Sequence, residues 1–272
     1  MKNYVLCTRK GIHIIDLNKT LGNLSAYLEV VKKTIASGGN VLFVGTKKQI
    51  KDCIREEAQR CDMPYVCERW LGGMLTNFNT VKNSIKKLED IERMEEDGTF
   101  EMLPKKEALS LSRKKNKLQL VLTGIRYLKT VPSLLFVVDI VNEHIAVAEG
   151  NKLSIPIGAI VDTNTDPAAV DYPIPANDDG YKSVSTIVHA IADTILEAKG
   201  ALSEQQMQQQ QQAAQQSAQE ESAAGSSHEE APAHTPEPAP ADQTASAQTE
   251  ESASEEPKRK KRVVRRKMEE NS

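Results

Sequence analysis

The chain has 272 residues, with 35 Lys and Arg against 38 Asp and Glu, for a formal net charge of -3. Of these, 8 basic and 13 acidic residues fall between Ser203 and Ser272, a stretch with one Gly and no aromatic residue, which leaves 27 and 25 for residues 1–202. The near-neutral total therefore averages two physically different regions, and no apolar run approaches the roughly 18–20 residues that a membrane-spanning helix requires.

The N-terminus lacks the basic start and long apolar stretch of a secretory signal, which predicts a reducing cytosol. Cys7, Cys53, Cys61 and Cys67 fit that compartment, being too few for a disulfide scaffold and without a Cys-x-x-Cys pair. The separation of Cys61 from Cys67 matches no usual zinc spacing, and Cys53 reads as a small buried hydrophobe.

Along the chain, short apolar runs at 12–15, 41–44, 65–67, 134–138 and 157–161 alternate with helical patterns at about 17–37, 48–60, 143–152 and 179–199. The runs are continuous, as in strands covered on both faces, and the β-α repetition predicts an α/β fold with a parallel, doubly wound sheet. In the last helix Val184, Ile187, Val188, Ile191 and Ile195 form one stripe, and Gly200 stands where a C-terminal cap is expected.

Residues 80–129 break the alternation with two helical patterns separated by Asp97-Gly98-Thr99-Phe100. Val81, Ile85, Leu88 and Ile91 line the first, while Leu111, Leu118, Leu122 and Ile125 line the second. This is an inserted helical hairpin. Pro104 suits the first turn of a second helix of about 25 residues, roughly 37 Å long. That arm carries Arg113, Lys114, Lys115, Lys117, Arg126 and Lys129 with no acid between Arg113 and Lys129.

The division predicted is an α/β domain at 1–79 and 130–200, the hairpin at 80–129, and a tail at 201–272. The tail is Gln-rich and then rich in Ala, Pro, Glu and Ser, a composition that predicts disorder. Its end, Lys258 to Lys267, packs all eight tail cations into ten residues. They can serve as a phosphate-seeking arm or pair with the acids before them.

A doubly wound sheet invites a nucleotide reading, which the loops do not support. Gly45-Thr46-Lys47-Lys48-Gln49 after the second run is neither G-x-G-x-x-G nor a P-loop, although Lys47 and Lys48 at a helix start suit an isolated phosphate. His13, His144 and His189 have no nucleophile in a recognised motif beside them. Asp162, Asp178 and Asp179 lie beyond strand ends and are candidate ligands for a divalent cation; Asp178 and Asp179 alternatively cap the final helix. The most distinctive stretch is Glu68-Arg69-Trp70-Leu71-Gly72-Gly73-Met74-Leu75-Thr76-Asn77-Phe78, which holds the sole Trp. Arg69 and Trp70 can bind phosphate or stack; alternatively Trp70 is a core plug at a hinge.

That stretch resembles the signature of bacterial ribosomal protein S two, the second protein of the small subunit. Other blocks occur in family order, including Gly11 to Leu17, Leu42 to Gln49, Met94 to Phe100, Leu135 to Asp139, Ile160 to Asn164 and Tyr172 to Asp179. The resemblance covers nearly all of residues 1–200. It implies a Rossmann-like or flavodoxin-like parallel sheet with an inserted α-helical coiled-coil hairpin, ahead of the disordered C-terminal tail. It also implies a non-catalytic, cytoplasmic, ribosome-bound protein that needs no cofactor and contacts small-subunit rRNA and neighbouring ribosomal proteins, including ribosomal protein S one. Lys47, Lys48, Arg69, Trp70, Arg113, Lys114, Lys115, Lys117, Arg126 and Lys129 then become candidates for rRNA or subunit contact. Two departures stand out besides the long tail. Family members begin earlier, with a helix and a Gly-His-Phe-Gly-His-like stretch, so Met1 is expected to be a truncated start. Ser154 also stands where the family usually has Gly.

Overall fold

The computed structural model describes residues 1–224; residues 225–272, including the cationic run Lys258 to Lys267, lie outside the described residues. The chain opens with strands β1 (Val5–Arg9) and β2 (Ile12–Ile15), followed by α1 (Leu17–Ala36), β3 (Val41–Val44), α2 (Lys51–Arg60) and β4 (Tyr65–Val66). Helices α3 (Phe78–Glu96), α4 (Thr99–Met102) and α5 (Lys105–Leu122) come next. The chain then returns through β5 (Leu134–Val138), α6 (His144–Lys152), β6 (Ile157–Val161), β7 (Tyr172–Pro175) and α7 (Tyr181–Ala224).

Five strands form one parallel sheet in the order β4-β3-β5-β6-β7. Numbered within the sheet, that is 2-1-3-4-5, the flavodoxin-like order. Alternate side chains feed two separate cores. Val41, Phe43, Leu134, Phe136 and Ile160 pack beneath α1, α2 and α7, whereas Leu42, Val44, Leu135, Val137 and Ala159 pack against α6 and the base of α3 and α5. Burial on both faces is why these strands read as continuous apolar runs. Gly158 is part of the same logic, since a Cβ there would lie 2.2 Å from the ring of Tyr27, whose hydroxyl donates to the Leu135 carbonyl at 3.0 Å.

Several expectations are corrected. Residues 12–15 form a strand outside the main sheet: β2 pairs antiparallel with β1, and both are largely exposed. Lys10 and Gly11 have φ of 50° and 80°, the two positive values that a tight two-residue hairpin requires. β7 has no counterpart among the expected strands because Pro173 and Pro175 weaken its signal, yet prolines are tolerated at the sheet edge it occupies.

The second arm of the helical insertion is shorter than expected. α5 ends at Leu122 and passes into a 3-10 turn, Thr123–Ile125, and Pro104 is its N-cap residue. Gly124 in that turn packs so closely on β4 that a Cβ would sit 2.1 Å from the Tyr65 carbonyl oxygen. The apolar stripes pair in part: Val81, Ile85, Leu88 and Ile91 of α3 are buried, Leu122 and Ile125 face the same core with the half-buried Leu118 packed against it, and Leu111 stays half-buried outside it. α7 does not stop at Gly200 but continues to Ala224. A mid-helix Gly costs only about 1 kcal/mol, and the Ala, Leu, Glu and Gln that follow are good helix formers.

Ser154 shows what its departure from Gly entails. It follows the end of α6 at φ 54°, where Ile155 N donates to Gly150 O at 3.0 Å and Ser154 N to Asn151 O at 3.1 Å. This is the Schellman arrangement, whose left-handed residue is ordinarily Gly. Replacing Ser154 by Gly should therefore stabilise the protein by about 1 kcal/mol. Thermal unfolding checks this, with an expected rise in Tm of about 2–4 °C.

Candidate functional site

In a 2-1-3-4-5 sheet the ligand crevice lies beyond the C-terminal ends of the two central strands, here β3 and β5. Gly45 leads out of β3 beneath α2, where a Cβ would lie 2.3 Å from Ile54. This glycine thus serves close packing. The lysines after it do not open a helix, because α2 begins at Lys51, and Lys47 turns back into the crevice instead. Its Nζ lies 2.9 Å from Asp139 Oδ2, 3.0 Å from Asp178 Oδ1 and 2.8 Å from Asp179 Oδ1.

Each of those carboxylates is placed by the backbone around it. Asp139 follows β5 at φ 70°, and its Oδ1 accepts from Val141 N and Asn142 N at 3.0 and 3.2 Å. Asn177 accepts from Asp179 N and Gly180 N, so Asn177, and not Asp178 or Asp179, organises the entry to α7. Alongside, the buried Glu143 accepts from the amide of Thr46 at 3.2 Å and from its hydroxyl. Burial raises the carboxyl pKa of Glu143, against the pull of the Thr46 hydrogen bonds. Burial likewise raises Asp178, opposed by Lys47 and reinforced by Asp139 and Asp162. For Lys47 burial acts to lower the pKa, but hydrogen bonds to Asp179, Asp139 and Asp178 outweigh it and hold the ammonium well above its ordinary value.

The crevice is therefore filled by the protein's own ion cluster. Lys47 is committed to three internal partners, which compete with the rRNA contact expected of it. The divalent-cation reading of Asp162, Asp178 and Asp179 finds no support in this geometry. Asp178 and Asp179 share the Lys47 ammonium, while Asp162 Oδ1 accepts from Thr163 N at 2.6 Å. Among the described residues, no group of three or more His, Cys, Asp or Glu converges as a metal-ligand set. Cys61 and Cys67 are buried thiols, which burial pushes up to about 11 and about 12.

The Arg69 to Phe78 loop is organised by a residue that sequence reading missed. Glu149, buried on α6, accepts from Trp70 Nε1 at 3.1 Å and Gly73 N at 2.7 Å through one oxygen. Its other oxygen accepts from Leu75 N at 2.9 Å, Thr76 N at 3.1 Å and the Thr76 hydroxyl at 3.2 Å. Gly73 has φ 86°, the left-handed conformation that lets this loop wrap its amides around one carboxylate. Burial acts to raise the pKa of Glu149, but the hydrogen bonds from Thr76, Leu75, Trp70 and Gly73 prevail and hold it below the usual value. Trp70 is thus buried and hydrogen-bonded inward, the core-plug alternative of its two readings. A Glu at the same helical turn as the buried Ala146 and Val147 was the available signal.

Arg69 and Lys48 are exposed. On the insertion, Lys115 pairs with Glu95, and Arg126 with Glu92 at 2.8 Å and Glu89 at 3.7 Å, tying the two arms together. Arg113, Lys114, Lys117 and Lys129 form no ion pair with a described residue, and the positive charge of this arm is therefore not neutralised from within. It lies along α5 and the turn after it.

These features define an α/β domain of flavodoxin-like strand order with a helical insertion and a crevice closed by its own side chains. Residues 1–198 match the family Ribosomal protein S2. A small ribosomal subunit protein uS2 from Chlorobaculum tepidum is 54% identical over 206 residues, covering 76% of this chain and 83% of the relative. Proteins of the same name from Nitratiruptor sp. and Campylobacter lari are each 54% identical, over 76% and 75% of this chain and 77% and 78% of theirs. The chain belongs to the ribosomal protein S2 family.

Proposed function

We propose that the chain acts in translation as a structural, non-catalytic constituent of the small ribosomal subunit. In this reading it holds rRNA through Arg113, Lys114, Lys117 and Lys129, with Lys48 and Arg69 as further contacts. The observation that carries it is the set of arm cations with no ion-pair partner among the described residues. Phosphates of a nucleic-acid backbone are their natural counter-charge, and the relatives' shared name supplies the setting. Lys115 and Arg126 have a second role, holding α3 to α5 as a short antiparallel coiled coil. Residues 1–79 and 130–200 then act as the body from which 80–129 is inserted. Neighbouring small-subunit proteins, ribosomal protein S one among them, are the further partners in the bacterial cytoplasm; no described helix is long and apolar enough to cross a membrane.

Replacing Arg113, Lys114 and Lys117 together by Ala should lower incorporation into small subunits. It should also reduce the salt dependence of RNA binding by about one unit of slope for each phosphate left without its cation. Lys115→Ala, which removes a paired charge, should cost less. Unchanged occupancy in purified particles together with an unchanged salt slope would sink the reading.

A further inference from the structure

Two clefts of about 350 and 490 Å³ adjoin where the second arm of the insertion meets the open edge of β4, sharing Gln59, Tyr65, Thr123 and Gly124. The bare backbone of Gly124, pressed against Tyr65, joins their floors. Tyr127 lines the first cleft and is 87% exposed, so its ring adds little to the core yet stands at the rim. Asn116, Gln119 and the 61% exposed Leu120 line the second. The acids lining the clefts have internal partners: Glu68 pairs with Lys51 and Arg55, each at 3.0 Å, and the fully exposed Asp62 lies 3.6 Å from Lys199.

The cations beside the clefts are in a different state. Arg113 and Lys117 lie seven and three residues before Leu120, on the same helical face, and Lys129 lies two residues beyond Tyr127. A hollow lined by side-chain amides and apolar groups, its acids ion-paired, with an exposed aromatic ring at its rim and unpaired cations at both ends matches what an unstacked base and its flanking phosphates require. We propose that these clefts are a site for unpaired nucleotides of an RNA strand, with Tyr127 as the stacking residue. This rests on the RNA-binding reading of the arm and assigns it a single-strand component. A duplex would bring phosphates to the cations but no free base face to the ring.

The test is fluorescence anisotropy of the full chain with a labelled uridine decamer and with a blunt RNA duplex. Tyr127→Ala should weaken decamer binding about 5- to 150-fold, leave duplex binding and the salt slope unchanged, and be rescued in Tyr127→Phe. If Tyr127→Ala binds the decamer as the parent does while Lys114→Ala/Lys117→Ala loses affinity, the stacking site is wrong and the arm reading stands. If neither variant changes binding, the arm reading fails and this site fails with it. Equal weakening on decamer and duplex would also overturn the site. In assembled subunits, benzoylphenylalanine in place of Tyr127 should crosslink to RNA; an adduct to protein alone would assign the clefts to a protein partner and overturn the proposal.

Discussion

Lys47→Met should destabilise the protein by about 3–5 kcal/mol at neutral pH, because it strands the buried carboxylates of Asp139 and Asp178 without their counter-ion. For a body of this size that corresponds to a fall in Tm on the order of 10 °C. The dependence on pH distinguishes a lost ion cluster from lost packing. Burial already raises the carboxyl of Asp178 above its ordinary 3.8, and removing the ammonium raises it further. A carboxyl whose folded pKa exceeds its unfolded value disfavours folding only once it must ionise. The deficit should therefore be small near the unfolded value and grow as pH rises from about 4 to 7. Urea unfolding at several pH values checks this, and adding Asp178→Asn should recover part of the loss at neutral pH. A deficit that does not vary with pH would mean that Lys47 contributes by packing alone.

Glu149→Gln should be nearly as severe although it changes one atom. Both carboxylate oxygens accept from N–H or hydroxyl donors, so the amide must present an NH2 group to donors on one side or the other. Leaving such donors without an acceptor costs about 1–3 kcal/mol each. The loop should loosen around Trp70, and because this is the sole Trp, its fluorescence reports the change directly, shifting to the red as water enters. Here the underlying pKa shift is opposite to that of Asp178, although the deficit again grows from acid to neutral pH. The folded pKa of Glu149 lies below its ordinary 4.5, so its contribution is present above that value and lost as pH falls through the folded pKa. The difference between parent and variant should hold at neutral pH and shrink in acid. Unchanged emission and an unchanged unfolding midpoint would contradict the role given to Glu149.

These two clusters mark the boundary of what the sequence made legible. Four of the five sheet strands and every long helix announced themselves, because burial on both faces leaves continuous apolar runs and one-sided burial leaves a stripe. β7 did not, since its two prolines hide an edge strand. The break at Gly124 did not either, because it is imposed by β4, nearly sixty residues earlier in sequence. The basic face of α5 was visible as a run of one sign. Its division into paired Lys115 and Arg126 and unpaired Arg113, Lys114, Lys117 and Lys129 depends on acids of α3. Lys47 read as a surface cation, and Trp70 as either a surface or a core group, for the same reason in reverse. Their partners, Asp139 and Asp178 for one and Glu149 for the other, are brought to them only by the fold. Ser154 was noticed as a departure from Gly, and its left-handed backbone explains why that departure matters.

The central claim is membership of the small ribosomal subunit through an RNA-binding arm, and sedimentation tests it most directly. Tagged parent protein should travel with the small-subunit peak of a sucrose gradient, while Arg113→Ala/Lys114→Ala/Lys117→Ala should shift toward the top in proportion to its weakened RNA binding. Parent protein found only at the top of the gradient, apart from the subunits, would contradict the account.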